Sequence, residues 1–468
     1  GISVENLVSP EASIPVTDAT GGEYFNNIFP DDALTNELYQ EGDVVLLRTQ
    51  GHKAHCVCGG THTDIGDHKE EKVLNFQPWN PYAENPANPQ MPTSMPEGVD
   101  GYYLTQDVTL NSSWKPSDVV LCLNGHTMTF SGNGAVKIES KSLTLTDCGT
   151  TGKLCREGSE VHKKDGISIL TKSTFNMYGG TITGFQTGVS FGTPGGTFHL
   201  YGGTITENET AHGAGVFCWG NSSNPSTFIM YGGKITNNRA TYPSDPFVKT
   251  LGGGVFLRES SKFEMYGGEI TGNSANSGGG VYCVGANDSY TAEMVLHGGK
   301  ITGNTATYGG GVYFGGKAFQ VTGKDKVTIT DNIGNGGKNV FLSYGKTIQV
   351  TGKLHDDTRI GVRSFYSPPT TIATATDGGW IQKGNFTSDI PDYGIALLDD
   401  GKTVQLQTHQ HSWEYIVSQD GTTITEHCTA ENCGLPEGNG GSVTIKAPAD
   451  NLIYDGQGKA AVLENTLI

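Results

Sequence analysis

Residues 177–183 read Met177-Tyr178-Gly179-Gly180-Thr181-Ile182-Thr183, and four near copies follow: LYGGTIT from Leu200, MYGGKIT from Met230, MYGGEIT from Met265 and LHGGKIT from Leu296. The first glycines of the five copies are 23, 30, 35 and 31 residues apart. A helical solenoid is excluded by the glycine and β-branched residues, which are poor helix formers. A leucine-rich repeat is excluded because LxxLxL is missing. Extended outward, the unit becomes F-x-M-Y-G-G-x-I-T-x-N, then a variable loop, then G-G-G-V-Y, which is three strand-like pieces per unit. The first carries Phe175, Phe198, Phe228, Phe263 and Met294; the second carries Ile182, Ile205, Ile235, Ile270 and Ile301; the third carries Val189, Val216, Val255, Val281 and Val312.

One such unit cannot bury its apolar face alone, so units must stack. Three strands per turn with irregular connections is the pattern of a parallel β-helix, whose coils are separated by the spacing of neighbouring strands. Met177 and Ile182 are expected to point inward and Gly179 and Gly180 to turn the corner. Asn208, Asn238, Asn273, Asn304 and Asn332 fall at one turn, where their amides can hydrogen-bond from coil to coil. Insertions between corners only bulge outward, which accounts for the unequal spacing. The expected class is therefore all-β, a right-handed single-stranded parallel β-helix of three strands per coil, with a nonrepetitive N-terminal head and small C-terminal appendages.

Composition agrees with a repeat. The 468 residues are only 35% hydrophobic and include 68 glycines. A formal net charge of −18 repels nucleic acid and anionic lipid, and no apolar run reaches the roughly 20 residues of a membrane helix. The opening GISVENLVSPEAS has no basic and apolar lead, and reads as a mature boundary left after an export signal is removed. Nine scattered cysteines leave the redox compartment open.

Residues 1–95 read as a head, with a short helix expected around Asp31–Gly42 and a proline-rich stretch that disfavours a helix or a central strand. Residues 96–408 read as the β-helix, its pattern decaying after Asn332, with 365–408 as a cap. Residues 409–440 form a small His/Cys segment, and 441–468 read as the start of a truncated Ig-like module in a longer, monomeric, multidomain chain. With YYLTQDVTL, LCLNGHTM, the YGGxIT copies and GGGVY, the sequence resembles the β-helix regions of secreted or wall-attached surface proteins of gut Firmicutes, adhesin-like and of pectate-lyase-like fold. That resemblance implies an extracellular location. The same fold serves lyases, glycoside hydrolases and adhesins, so it leaves function open.

Three constellations could carry chemistry. His52, His55, Cys56, Cys58, His62 and His68 in the head, and His409, His411, Cys428 and Cys433 near the end, supply nitrogen and sulfur ligands suited to structural zinc. The competing readings are a polar turn for the first set and a Cys428–Cys433 disulfide for the second. Glycoside hydrolysis needs two carboxylates about 5–10 Å apart; Glu264, Glu269, Glu293, Glu207, Glu209 and Asp331 are candidates that the sequence does not pair, and Arg258 beside Glu259 is a candidate lyase base. The loops offer Trp219, Tyr242, Phe247, Tyr290 and Tyr308 among Asn, Asp and Ser, a composition suited to stacking on sugars. The competing reading is that these rings clamp their own loops. Cys218 and Cys283 are expected to stack inward as small apolar residues. The preferred function is a noncatalytic adhesin or stalk binding glycans or host surface proteins, with no nucleic acid or membrane insertion. A carbohydrate-active enzyme with a groove on the loop side is the alternative, and a bare spacer is the third reading.

Overall fold

The computed structural model describes side chains between residues 76 and 430, apart from 133, 157–163, 243–246, 286–291, 377, 383, 399, 411 and 420–422. Outside that span it describes backbone strands only. The described chain is a parallel β-helix. One wall is a 15-stranded sheet, parallel from Leu74–Trp79 through to Thr370–Ala375. Nineteen further strands, all paired in parallel, build the other two walls. Each coil contributes one strand per wall, so residue types recurring in sequence recur along the axis.

Register makes this literal. Phe175 pairs with Phe198, Phe228, Phe263, Met294 and Phe319 in succession. Ile182, Ile205, Ile235, Ile270, Ile301 and Ile329 form a second column, and Val189, Val216, Val255, Val281, Val312 and Val340 a third. All are buried in one continuous core. The phenyl rings of 175, 198, 228 and 263 lie 4.9–5.1 Å apart and within 18° of parallel, and each such pair adds roughly 0.5–1.5 kcal/mol beyond area burial. Cys218 and Cys283 lie in the same core, flanking Leu257 in register.

The corners explain the glycines. In each YGG the second glycine has positive φ, from +76° at Gly233 to +100° at Gly299; the first does not, and a Cβ there would strike the preceding coil, as at Gly267 against the Tyr231 carbonyl at 2.7 Å. The corner is therefore turned by one glycine and made passable by the other. The last glycine before each valine is tight for a different reason: a Cβ on Gly280 would lie 3.0 Å from the Asn304 amide.

That amide belongs to a ladder. Asn208 donates from Nδ2 to Asn238 Oδ1 at 2.9 Å, Asn238 to Asn273 at 3.0 Å, Asn273 to Asn304 at 2.9 Å and Asn304 to Asn332 at 3.0 Å. Each Nδ2 from Asn208 to Asn332 also reaches two backbone carbonyls, and each Oδ1 from Asn238 to Asn332 accepts the backbone N–H of the preceding rung. The column does not stop at Asn332: Asn332 donates to Asn339 at 3.1 Å, and Asn339 donates to the Asp389 carboxylate from Nδ2 and from its backbone N–H, both at 2.7 Å. Burial raises the Asp389 pKa, against the pull of those two donors.

Regularity also outlasts its sequence signature. Phe319 and Ile329 are ten residues apart instead of seven, yet both keep their columns, and the Ile348–Val350 strand pairs onto Ala318–Val321. The extra residues are absorbed at the corner. An antiparallel hairpin, Tyr393–Leu397 with Thr403–Thr408, covers the last strand, Thr370–Ala375, which blunts an exposed edge.

One expectation for the first hundred residues needs correcting. Asn36–Glu41 is a strand, antiparallel to Val44–Thr49, and not part of a helix; pairing with the β-branched and apolar Val44–Thr49 strand decides over local helix propensity. Pro78 lies within the strand Leu74–Trp79. Among the described residues the Ala54–His55 strand covers only Leu74 and Asn75, so no described strand on that side needs an N–H from Pro78.

Candidate functional site

Alternation sends the residue after each column valine outward. After Val189 this is Ser190, and from Val216 on the residues are Phe217, Phe256, Tyr282, Tyr313 and Phe341, in register along the axis. Successive ring centroids are 5.3, 5.2, 4.8 and 5.3 Å apart. The last three rungs form the floor of a groove of about 690 Å³. Tyr308 stands 5.7 Å from Phe341, and Tyr344 and Phe365 meet at 3.9 Å further along. Phe247, 92% exposed, overhangs the same groove, and Asn276, Ser277 and Thr307 add polar groups. Burial and the neighbouring Tyr313 push the Tyr282 phenol up to about 12, so it is a neutral hydroxyl under all physiological conditions. Apolar faces beside a few polar groups make a site able to stack on a sugar face and bond its hydroxyls.

Of the five loop aromatics predicted from sequence, Phe247 and Tyr308 come together here. Trp219 is half-buried against the core, its Nε1 donating to the Phe191 carbonyl at 2.6 Å, and it does not line the groove. Tyr242 is exposed but also outside the lining, and Tyr290 lies outside the described residues. The floor was missed, although the signal was present: Val216, Val255, Val281, Val312 and Val340 are each followed directly by an aromatic. A second outward stack escaped notice in the same way. Tyr178, Tyr201, Tyr231, Tyr266 and His297, the second letters of the repeated heptapeptide, lie 4.1–5.1 Å apart in succession.

Each of the acidic candidates has a cationic or hydroxyl partner among the described residues. Glu264 is engaged by Lys262 and accepts from the Tyr266 hydroxyl at 3.0 Å; burial works to raise its pKa, but Lys262, the Tyr266 hydrogen bond and His297 hold it below the usual carboxylate range. Glu269 lies between Lys234 and Lys300, 3.4 Å from each. Glu293 pairs with Lys317, Glu209 with Arg239, and Glu259 with Arg258. Glu207 accepts from Thr183, and Asp331 from Thr330. These are solvated charges laced along the outer faces.

The metal candidates of the head, His52, His55, Cys56, Cys58, His62 and His68, lie outside the described side chains, as do His411 and Cys433. His409 and Cys428 are described, and their Nε2 and Sγ atoms meet at 3.3 Å. Among the described residues no three His, Cys, Asp or Glu side chains cluster as a metal site. Cys122 and Cys148 form a disulfide across neighbouring coils. No described helix is long and apolar enough to cross a membrane. No family model matches the chain, and neither the curated proteins nor the solved structures include a match. The fold and groove define the chain as a parallel β-helix with an aromatic surface cleft.

Proposed function

We propose that the chain is a noncatalytic β-helix module of a secreted or wall-attached bacterial surface protein, of the kind found in gut Firmicutes, and that it holds glycans in its aromatic groove. The observation that carries this is the floor of Tyr282, Tyr313 and Phe341, flanked by Tyr308 and Phe247 and bordered by amide and hydroxyl groups. Rings stacked at coil spacing give a rigid platform, because their positions are fixed by the ladder beneath and ordering them on binding costs little entropy. The Cys122–Cys148 disulfide supports an oxidising, extracellular setting. The contact of His409 with Cys428 supports structural zinc near the C-terminus, with two donors of the right chemistry in hand; metal analysis that finds no zinc in the purified protein refutes that part alone.

Glycan-array binding tests the main reading. Phe247→Ala and Tyr308→Ala are expected to weaken capture by roughly tenfold each, since stacking on a ring contributes on the order of 1–2 kcal/mol. Release of reducing ends from any bound glycan overturns the noncatalytic assignment in favour of a carbohydrate-active enzyme.

A further inference from the structure

The groove's charge runs against that of the molecule. The chain carries 48 acidic residues for 30 basic ones, and many of its lysines and arginines are tied to carboxylates, as at Lys115–Glu139, Lys141–Asp118, Lys317–Glu293 and Arg258–Glu259. Among the described residues lining the groove there are two cations, Lys249 and Arg363, and no carboxylate. Neither cation forms an ion pair among the described residues. Arg363 is also the next rung of the aromatic floor, since it pairs in register with Phe341. Its side chain therefore leaves the sheet on the same face as the rings, at the next position along the axis. Its Nη1 donates to the Asn335 carbonyl at 3.1 Å, which fixes its orientation and leaves the rest of its five N–H donors for another acceptor.

We infer that the groove selects anionic glycans, those bearing carboxylate or sulfate groups. Sugar faces lie on the exposed rings of Phe247, Tyr308 and Phe365 while an acidic substituent reaches Arg363, with Lys249 adding a second charge. The inference rests on the groove being a glycan site. An arginine held by one backbone contact suits the fork geometry of a carboxylate or sulfate better than a freely moving lysine does. The surrounding negative field disfavours anions at long range, so selectivity must come from these two residues at contact distance.

The test uses the whole chain on an array presenting the same oligosaccharides in neutral, uronate-bearing and sulfate-bearing forms. The acidic forms are expected to bind about tenfold or more tightly than the neutral ones, with Arg363→Gln and Lys249→Gln each removing much of that preference. Raising salt from about 50 to 300 mM is expected to narrow the gap, as screening weakens exposed charge contacts. The uronate and sulfate arms identify which anion is read. Equal binding of neutral and acidic forms, or a preference unchanged in both variants, overturns the anionic selectivity while leaving the glycan site standing. No binding to any form, with Phe247→Ala and Tyr308→Ala also indistinguishable from the parent, overturns the site itself. Circular dichroism of each variant, expected to match the parent because both side chains are on the surface, separates lost contacts from lost folding.

Discussion

Replacing Asn273 with alanine tests the internal ladder most directly. The side chain is fully buried and has five hydrogen-bond contacts: its Oδ1 accepts from the backbone N–H and Nδ2 of Asn238, and the two N–H groups of its Nδ2 are shared among the carbonyls of Ile235 and Thr271 and Asn304 Oδ1. Truncation strands the Asn238 N–H outright, at about 1–3 kcal/mol, and weakens the remaining partners by about 0.5–1 kcal/mol each, since most keep a second bond. The sum is roughly 3–7 kcal/mol. Asn273→Asp is expected to be worse than alanine at neutral pH, because it presents a charged oxygen to three acceptors that had received a donor. A solenoid opens locally and not all at once, so the fitting measurement is hydrogen exchange resolved by peptide, read over residues 230–310. Exposed Asn335, whose side chain faces solvent, is the control. Exchange in Asn273→Ala within about 0.5 kcal/mol of Asn335→Ala, or Asp tolerated as well as Ala, refutes the ladder as a source of stability.

Three further expectations follow from the same geometry. Gly280→Ala, whose Cβ would press the Gly311 carbonyl at 2.6 Å and Ile301 at 2.9 Å, is expected to cost about 2–3 kcal/mol, whereas Gly384→Ala, with nothing within 4 Å, costs about 1 kcal/mol for its positive φ alone; thermal melts compare them. The Asp389 pKa is raised in the fold by burial, so the folded state holds its proton more tightly than the unfolded chain. Its contribution is therefore fully present below about pH 4, the ordinary carboxylate value, and is lost as pH rises through the folded value; denaturation midpoints that instead climb with pH over that window in the parent relative to Asp389→Asn contradict this. Cys218 and Cys283 are fully buried thiols whose pKa values burial raises, so mass-mapped alkylation is expected to spare both in the native protein and to label them on unfolding.

The columns were legible because stacking makes every coil repeat the same demand. Phe175 and its successors, Ile182, Val189 and Asn208 could be assigned inward positions from alternation and spacing alone. What escaped was of two kinds. The Asn339 and Asp389 rungs were hidden because the chain around them leaves the repeat rhythm, and only three-dimensional register returns it to the column. The groove was hidden for the opposite reason: Tyr282, Tyr313 and Phe341 are so regular that they read as scaffold, whereas the irregular loops stand out from the repeat. Phe247 and Tyr308 belong to those loops, but the surface they complete is built from the repeat. The His/Cys clusters could be recognised by residue type, which says nothing about how closely the chain draws them together.

The ladder of amides also measures length. An asparagine rung accepts on one side and donates on the other, so it can always be followed by one more. A carboxylate accepts only, and the column that begins by receiving the Phe185 N–H at Asn208 closes at Asp389, where no donor remains to pass on. The far end of the ladder is thus set by a single terminating side chain, a chemical full stop. Inserting whole repeats upstream of it would lengthen the rod without disturbing its end, and the reach of the module could be changed in steps of one coil, about 4.8 Å.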